Sequence, residues 1–151
     1  MAEPFHLLPD LVCMCANFRR ASRALTQLYD GVLRPVGLRP TQFTILHVLS
    51  QAGEVSQGEL GQILAMDSTT LTRTLRIMSR EGWIAERRGN DRRERWLRLA
   101  KAGRRQFSRA FPAWEKAQAQ VRRQLGDKRW HELHQLTNEV TTVLTRKGDL
   151  S

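Results

Sequence analysis

Residues 87–99 read RRGNDRRERWLRL, a Gly-Asn pair set among arginines. Short, partly alternating apolar segments lie on either side of this pair, at 83–87 and 95–99. A Gly-Asn dipeptide between such segments predicts a β-hairpin with a two-residue turn at Gly89-Asn90, although the connection is longer than an ideal tight turn. The sequence therefore indicates a small hairpin with arginines at its tip.

A polar helix is predicted shortly before the hairpin. Asp67 belongs to the residue types that cap helices, and Leu71, Leu75 and Met78 follow at the spacing of one buried face. The opposite face carries hydroxyl and guanidinium groups, from Ser68, Thr69, Thr72, Arg73, Arg76 and Arg80. Such a helix fits the major groove of duplex DNA and a basic hairpin fits the neighbouring minor groove, so the pair favours DNA binding.

Three further helices are predicted before the polar helix. Apolar periodicity, Pro and Gly positions place a first helix over 8–33, a second over 40–53 and a short third over 56–65. Ser56 and Glu59 have the spacing of a capping box at the start of the third helix. The order of helices followed by a hairpin is that of a helix-turn-helix module with a wing.

The basic charge is concentrated in one segment. The chain has 25 Lys and Arg against 15 Asp and Glu, a net charge of +10. Nine basic and three acidic residues lie between Glu86 and Arg105, so +6 of that charge falls in this segment. Localised positive charge marks a docking surface for phosphates or anionic headgroups. No apolar run approaches the roughly 20 residues that span a bilayer, so we expect a cytoplasmic protein without a membrane partner.

Long apolar stripes continue after the hairpin. Residues 101–147 have the pattern of two further helices, and Pro112 should kink the first of them unless it lies near a break. One domain of 151 residues could hardly cover these stripes and the stripe of the first helix. We therefore expect the chain to form a homodimer through its first, fifth and sixth helices.

The chain resembles the MarR family of bacterial transcription regulators along almost its whole length. Asp91-Arg92-Arg93, followed by Leu99 and Gly103, is similar to the family's wing signature and to the start of its fifth helix. Further similar positions are Gln42, Phe43, Leu46, Leu60, the segment 68–73 and Leu75. The chain departs from the family pattern at Arg39 and Ala100, where capping Thr or Ser residues are usual, and a lost cap costs about 1 kcal/mol.

The resemblance implies a fold, an organisation and a function. The fold is mainly α with a small β-hairpin wing, in a single domain over 1–151. It implies a winged helix-turn-helix lobe over about 36–100, with dimerisation helices over about 8–33 and 101–147. The function implied is sequence-specific binding of double-stranded DNA at a palindromic operator, most often as a repressor.

The family pattern also assigns roles within the predicted DNA surface. The fourth helix enters the major groove, and Arg93 enters the minor groove. Asp91 accepts a hydrogen bond from Arg93 or from the turn backbone, while Arg87, Arg88 and Arg92 meet phosphates. The residues predicted to contact DNA are Ser56, Ser68, Thr69, Thr70, Thr72, Arg73, Arg76, Arg87, Arg88, Asp91, Arg92 and Arg93.

Residues for a signal are less defined. Cys15 falls where the peroxide-sensing branch of the family has its reactive cysteine, and Tyr29 matches a partner of that cysteine. Other members bind small aromatic anions, for which Phe18, Tyr29, His47 and Trp114 are candidates. Plain core packing is the preferred interpretation of each of these residues. We expect no cofactor and no metal, because the spacings of Cys13, Cys15, His131 and His134 suit zinc poorly.

Two other functional classes share some of these features. A non-specific or architectural nucleic-acid binder would use the same positive charge without an operator, and a specificity ratio distinguishes it from a regulator. A cysteine-based redox enzyme would need peroxide turnover and a recycling thiol, for which the chain offers only two closely spaced cysteines. We therefore expect a regulator that is not an enzyme.

Overall fold

The computed structural model describes residues 12–145 as six α-helices and three short strands. The elements in chain order are α1 Met14–Leu33, a short 3-10 helix Arg34–Val36, α2 Pro40–Ala52, β1 Glu54–Ser56, α3 Gln57–Leu64, α4 Ser68–Arg80, β2 Ile84–Arg88, β3 Arg95–Leu99, α5 Lys101–Leu125 and α6 Asp127–Thr145. The mainly α class with a small β wing is confirmed.

The core lies in the lobe formed by α2 to β3 and the adjoining parts of α1 and α5. Side chains at most 2% exposed include Leu33, Leu38, Phe43, Ile45, Leu46, Leu49, Leu60, Leu71, Met78 and Leu97. In α2, Phe43, Leu46 and Leu49 have the predicted helical spacing, and in β3 the buried residues Leu97 and Leu99 are two positions apart, as in a strand with one buried face. The core thereby fixes which faces of α4 and of the sheet remain at the surface.

The sheet has one strand more than the predicted hairpin. β2 and β3 pair antiparallel, and β1 pairs with the other edge of β3, which gives the order β1-β3-β2. The predicted two-residue turn is wrong, because six residues, 89–94, connect β2 and β3. Gly89 N donates to Glu94 O at 2.9 Å across this loop. Asp91 and the arginines after it therefore belong to the loop itself.

Helix boundaries follow the predicted caps, with one correction. The second, third and fourth helices begin at Pro40, after Ser56 and after Asp67, as predicted. The Ser56–Glu59 capping box is present, with Ser56 N donating to Glu59 Oε2 at 3.0 Å. The first helix begins at Met14 with an extended Cys13 before it, so its predicted start is wrong for 12–13, and 8–11 lie outside the described residues.

Other hydrogen bonds are present at the two positions that depart from the family pattern. Gln42 Oε1 accepts from Arg39 N at 2.9 Å, which satisfies one donor at the start of α2. Ala100 N donates to Trp83 O at 2.9 Å, which ties the start of α5 to the lobe. A Cβ at Gly103 would lie 2.0 Å from Trp83 O, so only glycine permits this approach. α5 continues through Pro112 without a break.

α6 packs on α5 but leaves its own apolar side chains uncovered. None of the residues Asp127–Thr145 is buried. Large apolar side chains of α6 are exposed, namely Leu133, Leu136, Val140, Val143 and Leu144. Across residues 12–145, every helix is too short or too polar to cross a membrane.

Candidate nucleic-acid interface

The start of α4 is ordered by Asp67. Asp67 Oδ1 accepts from Thr70 N at 2.8 Å, and Oδ2 accepts from the Thr70 hydroxyl at 2.6 Å. The hydroxyl of Thr70, and then its backbone N–H, holds the pKa of Asp67 below its usual value, because hydrogen bonds to a carboxylate favour its charged form. Thr70, which was predicted to contact DNA, therefore donates its hydroxyl proton within the protein.

The outer face of α4 presents hydroxyl groups and arginines to solvent. Leu71, Leu75 and Met78 are at most 3% exposed and fix the rotation of the helix. The exposed positions are Ser68, Thr69, Thr70, Arg73, Arg76, Ile77 and Arg80. The hydroxyl and guanidinium groups follow the helical periodicity that the sequence predicted for a helix placed in a DNA groove.

A hydrogen bond between side chains fixes α3 against α4. Gln57 Nε2 donates to the hydroxyl oxygen of Thr72 at 3.0 Å, and both residues are partly buried. Thr72 thus differs from Ser68 and Thr69, because its hydroxyl already accepts within the protein. Gln57 has no sequence motif that points to this role, since its partner lies in a different helix.

The tip of the wing is held by its own backbone. Glu94 N donates to Asp91 O at 3.0 Å, and Arg93 N donates to Asp91 Oδ1 at 2.9 Å. Of the two partners considered for Asp91, the structure shows the turn backbone. Asp91 thereby fixes the main chain at Arg93, while the Arg92 and Arg93 side chains are exposed.

At the base of the wing, Arg87 is held within the protein. Its Nε and Nη2 donate to the two carboxylate oxygens of Glu54, each at 2.7 Å. Its guanidinium carbon lies 5.1 Å from the centre of the Trp96 ring, in cation–π geometry. The hydrogen bond between these two side chains is the main cause of both pKa shifts. It lowers the pKa of Glu54 and raises the pKa of Arg87.

The two faces of the sheet differ in what they carry. Glu86 points towards α4, where its Oε1 accepts from the Ser79 hydroxyl at 2.8 Å and its Oε2 lies 3.9 Å from Arg95 Nη1. Side chains alternate along a strand, so Arg88 shares this face and Arg87 lies on the other. Arginines of the wing are therefore divided between a face towards α4 and a face away from it.

A single cleft joins the helix-turn-helix and the wing. Its lining includes Ser56, Gln57, Ser68, Thr72, Arg93 and Arg95, and on α6 it includes Asn138, Thr141, Thr142 and Thr145. The start of α3, the start of α4, the wing and α6 thus border one concave surface, and it is rich in hydroxyl, amide and guanidinium donors. Among the predicted residues, Arg87 is separated from this surface by its position on the other sheet face.

Glu54 and Trp96 were not singled out in the sequence. Glu54 lies in a strand of three residues, too short for an alternating pattern, and it is 33 residues before Arg87. Only the pairing of β1 with β3 brings them together. An acidic residue just before a capping box carries no local signal of this contact.

The candidate redox residues are separated within one chain. Cys13 and Cys15 are both exposed thiols. Tyr29 donates a hydrogen bond to Gln118 Oε1 on α5, and burial raises the pKa of its hydroxyl. At 1.5 Å per residue, Tyr29 lies about 21 Å along α1 from Cys15, so these two residues do not meet within a chain.

Two of the other candidate signal residues, His47 and Trp114, belong to an aromatic cluster. His47 of α2 lies among four rings, with centroid distances of 5.3 Å to Trp114, 5.4 Å to Phe107, 5.8 Å to Phe43 and 6.3 Å to Phe111. This cluster packs the lobe against α5 without a gap between the rings. Phe18, by contrast, is 38% exposed on α1. Within residues 12–145, no three His, Cys, Asp or Glu side chains are grouped as metal ligands.

Comparison with known proteins gives consistent matches. The sequence model of the MarR family matches residues 38–94, which include α2, both helices of the helix-turn-helix and the wing tip. The uncharacterized HTH-type transcriptional regulator YwoH of Bacillus subtilis (strain 168) is 28% identical over 91 residues. That match covers 60% of this chain and 66% of YwoH, just under two thirds of the relative.

Solved structures match over more of the chain. The transcriptional regulator MosR of M. tuberculosis in complex with DNA is 36% identical, with a TM-score of 0.79, over 87% of this chain and 96% of that chain. A second structure of M. tuberculosis MosR gives 33% identity and a TM-score of 0.77, over 88% of this chain and 96% of that chain. The likeness therefore includes the helices outside the segment matched by the family model.

Proposed function

The chain belongs to the MarR family, and from that premise we propose that it is a sequence-specific transcriptional regulator that binds duplex DNA as a homodimer. Family membership makes it a DNA-binding transcriptional regulator rather than a general coating protein. The proposal adds how this chain reads its operator, how two copies assemble and what releases the DNA.

The observation that carries the proposal is the concave surface at which α3, α4 and the wing meet, and which residues of α6 also line. Ser68 and Thr69 are exposed at the start of α4, where the positive end of the helix dipole favours phosphate. Arg73 and Arg76 follow one and two turns later and can donate in bidentate fashion to guanine. We assign major-groove reading to this face of α4.

The wing supplies the second contact. Asp91 fixes the main chain at Arg93, so the exposed guanidinium extends from an ordered turn. A narrow A·T-rich minor groove attracts such an arginine through its electrostatic potential. Arg88 and Arg92 are exposed and suit phosphate contacts. This division assigns base reading to α4 and shape reading to the wing.

The dimer is supported by the uncovered apolar faces. α6 exposes Leu136 at 58% and Leu144 at 64%, and α1 exposes Met14 at 66%. Exposed apolar stripes of this length are typical of an interface. Two copies related by a two-fold axis would present α4 at half-sites about 34 Å apart, which requires a palindromic operator.

Release of DNA then follows from a change in the angle between the two lobes. An oxidative signal would act through Cys15, whose thiol is exposed within one chain. A small aromatic ligand at His47 and Trp114 would have to separate rings that already pack together. Repression by occupying a promoter is the role proposed here, with either signal as the trigger.

The test is selection of bound sequences from a random duplex library by the purified protein, repeated after mild organic hydroperoxide treatment. We expect an enriched palindrome, preferred by about a thousandfold over random duplex. Loss of binding on oxidation, reversed by a thiol, would identify Cys15 as the sensor if Cys15→Ser abolishes the response. The absence of any enriched sequence would refute the regulator and leave a non-specific binder.

A further inference from the structure

Six arginines lie in the segment 87–98, and Arg87 differs from the other five in its contacts. Arg87 is the wing arginine whose guanidinium is held by two hydrogen bonds to a carboxylate. That carboxylate, Glu54, belongs to β1, at the opposite edge of the sheet. The contact therefore spans all three strands.

The register explains how the contact forms. Arg87 is paired with Trp96, and Glu54 is paired with Arg98, two residues further along β3. Residues two apart on a strand share a face, so Glu54, Arg87, Trp96 and Arg98 all lie on the face away from α4. Arg87 crosses Trp96 to reach Glu54, and the Trp96 ring supports its guanidinium at 5.1 Å.

The charge of this face is reduced by the pair. Arg98 lies beside Glu54 and adds to the electrostatic lowering of its pKa, so one carboxylate serves two guanidinium groups. Without Glu54, Arg87 and Arg98 would lose the carboxylate between them, and only the weaker electrostatic influence of Glu94 would remain at Arg87. A free arginine on a flexible stem finds phosphate on any duplex, whatever its sequence.

We propose that Glu54 is a specificity-determining residue of the regulator: it holds Arg87 on the sheet face away from α4 and so limits sequence-independent attraction to DNA. The inference rests on the proposed function. It assigns Arg87 to the base of the wing rather than to the phosphates. Glu54 acts through Arg87 and is a positioning residue with no DNA contact of its own.

The test compares Glu54→Gln with Arg87→Gln on a selected operator duplex and on a random duplex of equal length. Both substitutions break the same ion pair, so a purely structural role predicts the same effect from each. We expect Glu54→Gln to raise affinity for random duplex by about fivefold and to steepen the salt dependence by about 0.9, one extra phosphate. Arg87→Gln should leave both quantities close to wild type.

Operator binding completes the test. Because the operator already engages the arginines of the tip, Glu54→Gln should raise operator affinity less than random-duplex affinity. The ratio of operator to random affinity should therefore fall, by at most about fivefold. In an Arg87→Gln background, Glu54→Gln should have little effect on either affinity, because no Arg87 guanidinium remains to be released. This double-mutant cycle isolates the coupling between Glu54 and Arg87. Glu54→Asp, which keeps the charge, should stay near wild type on random duplex.

The control for bulk charge is Glu115→Gln, an exposed residue of α5 that changes the net charge equally. An equal rise from Glu115→Gln, an unchanged ratio in Glu54→Gln, or an effect that persists without Arg87 would overturn the inference. Preference of the wild type for the selected duplex is read separately and tests only the proposed function. The thermal midpoint of each variant shows that the compared proteins are folded.

Discussion

The winged lobe and α6 both carry apolar residues at helical spacing, yet only the lobe buries them. In α2, Ile45 and Leu46 are fully buried and Leu49 is 1% exposed, whereas in α6 Leu136 is 58% exposed and Leu144 64%. The lobe completes its core within one chain because α2 packs against α1, α5 and the sheet. The difference shows that apolar periodicity predicts a buried face without predicting which chain covers it.

Truncating a core residue of the lobe is the strongest way to break this comparison. Leu46→Ala removes a fully buried side chain and should lower the free energy of unfolding by about 2–5 kcal/mol, through lost burial and the cavity left behind. Urea denaturation followed by far-UV circular dichroism measures it.

Leu136→Ala in α6 is the matched control. The same side chain is removed from a position 58% exposed, so dilute protein should lose much less stability. Any further loss should grow with protein concentration, because a partner chain that covers Leu136 stabilises only the assembled state. A greater loss in dilute Leu136→Ala than in Leu46→Ala would contradict the contrast between the two regions.

Charging the α6 face tests what covers it. Val140→Asp places a carboxylate on the uncovered stripe and should shift the protein towards monomer in sedimentation velocity. Operator affinity should fall by about a hundredfold, because each half-site is then bound alone. Gln135→Asp introduces the same charge at an exposed polar position of α6 and should preserve both properties. A monomeric Val140→Asp protein with full operator affinity would refute the proposal that the protein binds its operator as a dimer.

Changing the wing tip tests the lobe without touching α6. Arg93→Ala should weaken operator binding by about 1–3 kcal/mol and Arg92→Ala by less, both with a shallower salt dependence. The sedimentation coefficient should stay that of the dimer in each variant. Fluorescence anisotropy measures the affinities, and wild-type binding by both variants would remove Arg92 and Arg93 from the interface.

The sequence predicts the lobe well because its signals are local. The Ser56–Glu59 capping box and the Asp67 cap each join residues three positions apart, and both are present in the structure. A buried stripe such as Leu71 with Leu75 lies within a single helix. Patterns of this kind specify element type and face without any knowledge of the rest of the chain.

The features that the sequence did not predict depend on distant contacts. β1 has three residues and forms only because β3 pairs with it, so no pattern of its own precedes the pairing. The partner of Arg87 lies 33 residues away in that same strand. The turn was expected at Gly89-Asn90, but Asp91 and Glu94 supply the bonds that make a six-residue loop. The sequence therefore indicates the segment that carries the candidate DNA surface, while the division of its arginines between the two sheet faces depends on the strand pairing.

The smallest expected effect concerns pH and belongs to the lobe alone. Hydrogen bonds from Thr70 hold the pKa of Asp67 below its ordinary value of 3.8 in the folded protein. The stability that this charge contributes is present above the ordinary pKa and is lost as the pH falls through the lower folded value.

Asp67→Asn keeps an oxygen acceptor for the Thr70 N–H and does not titrate. The difference in unfolding free energy between wild type and Asp67→Asn should therefore shift against the wild type as the pH falls below about 5. The other lowered carboxylates, such as Glu54, titrate alike in both proteins and cancel in this difference. Urea denaturation at a series of pH values measures it, and a difference that stays constant down to pH 3 would show that the Asp67 charge adds nothing to the cap.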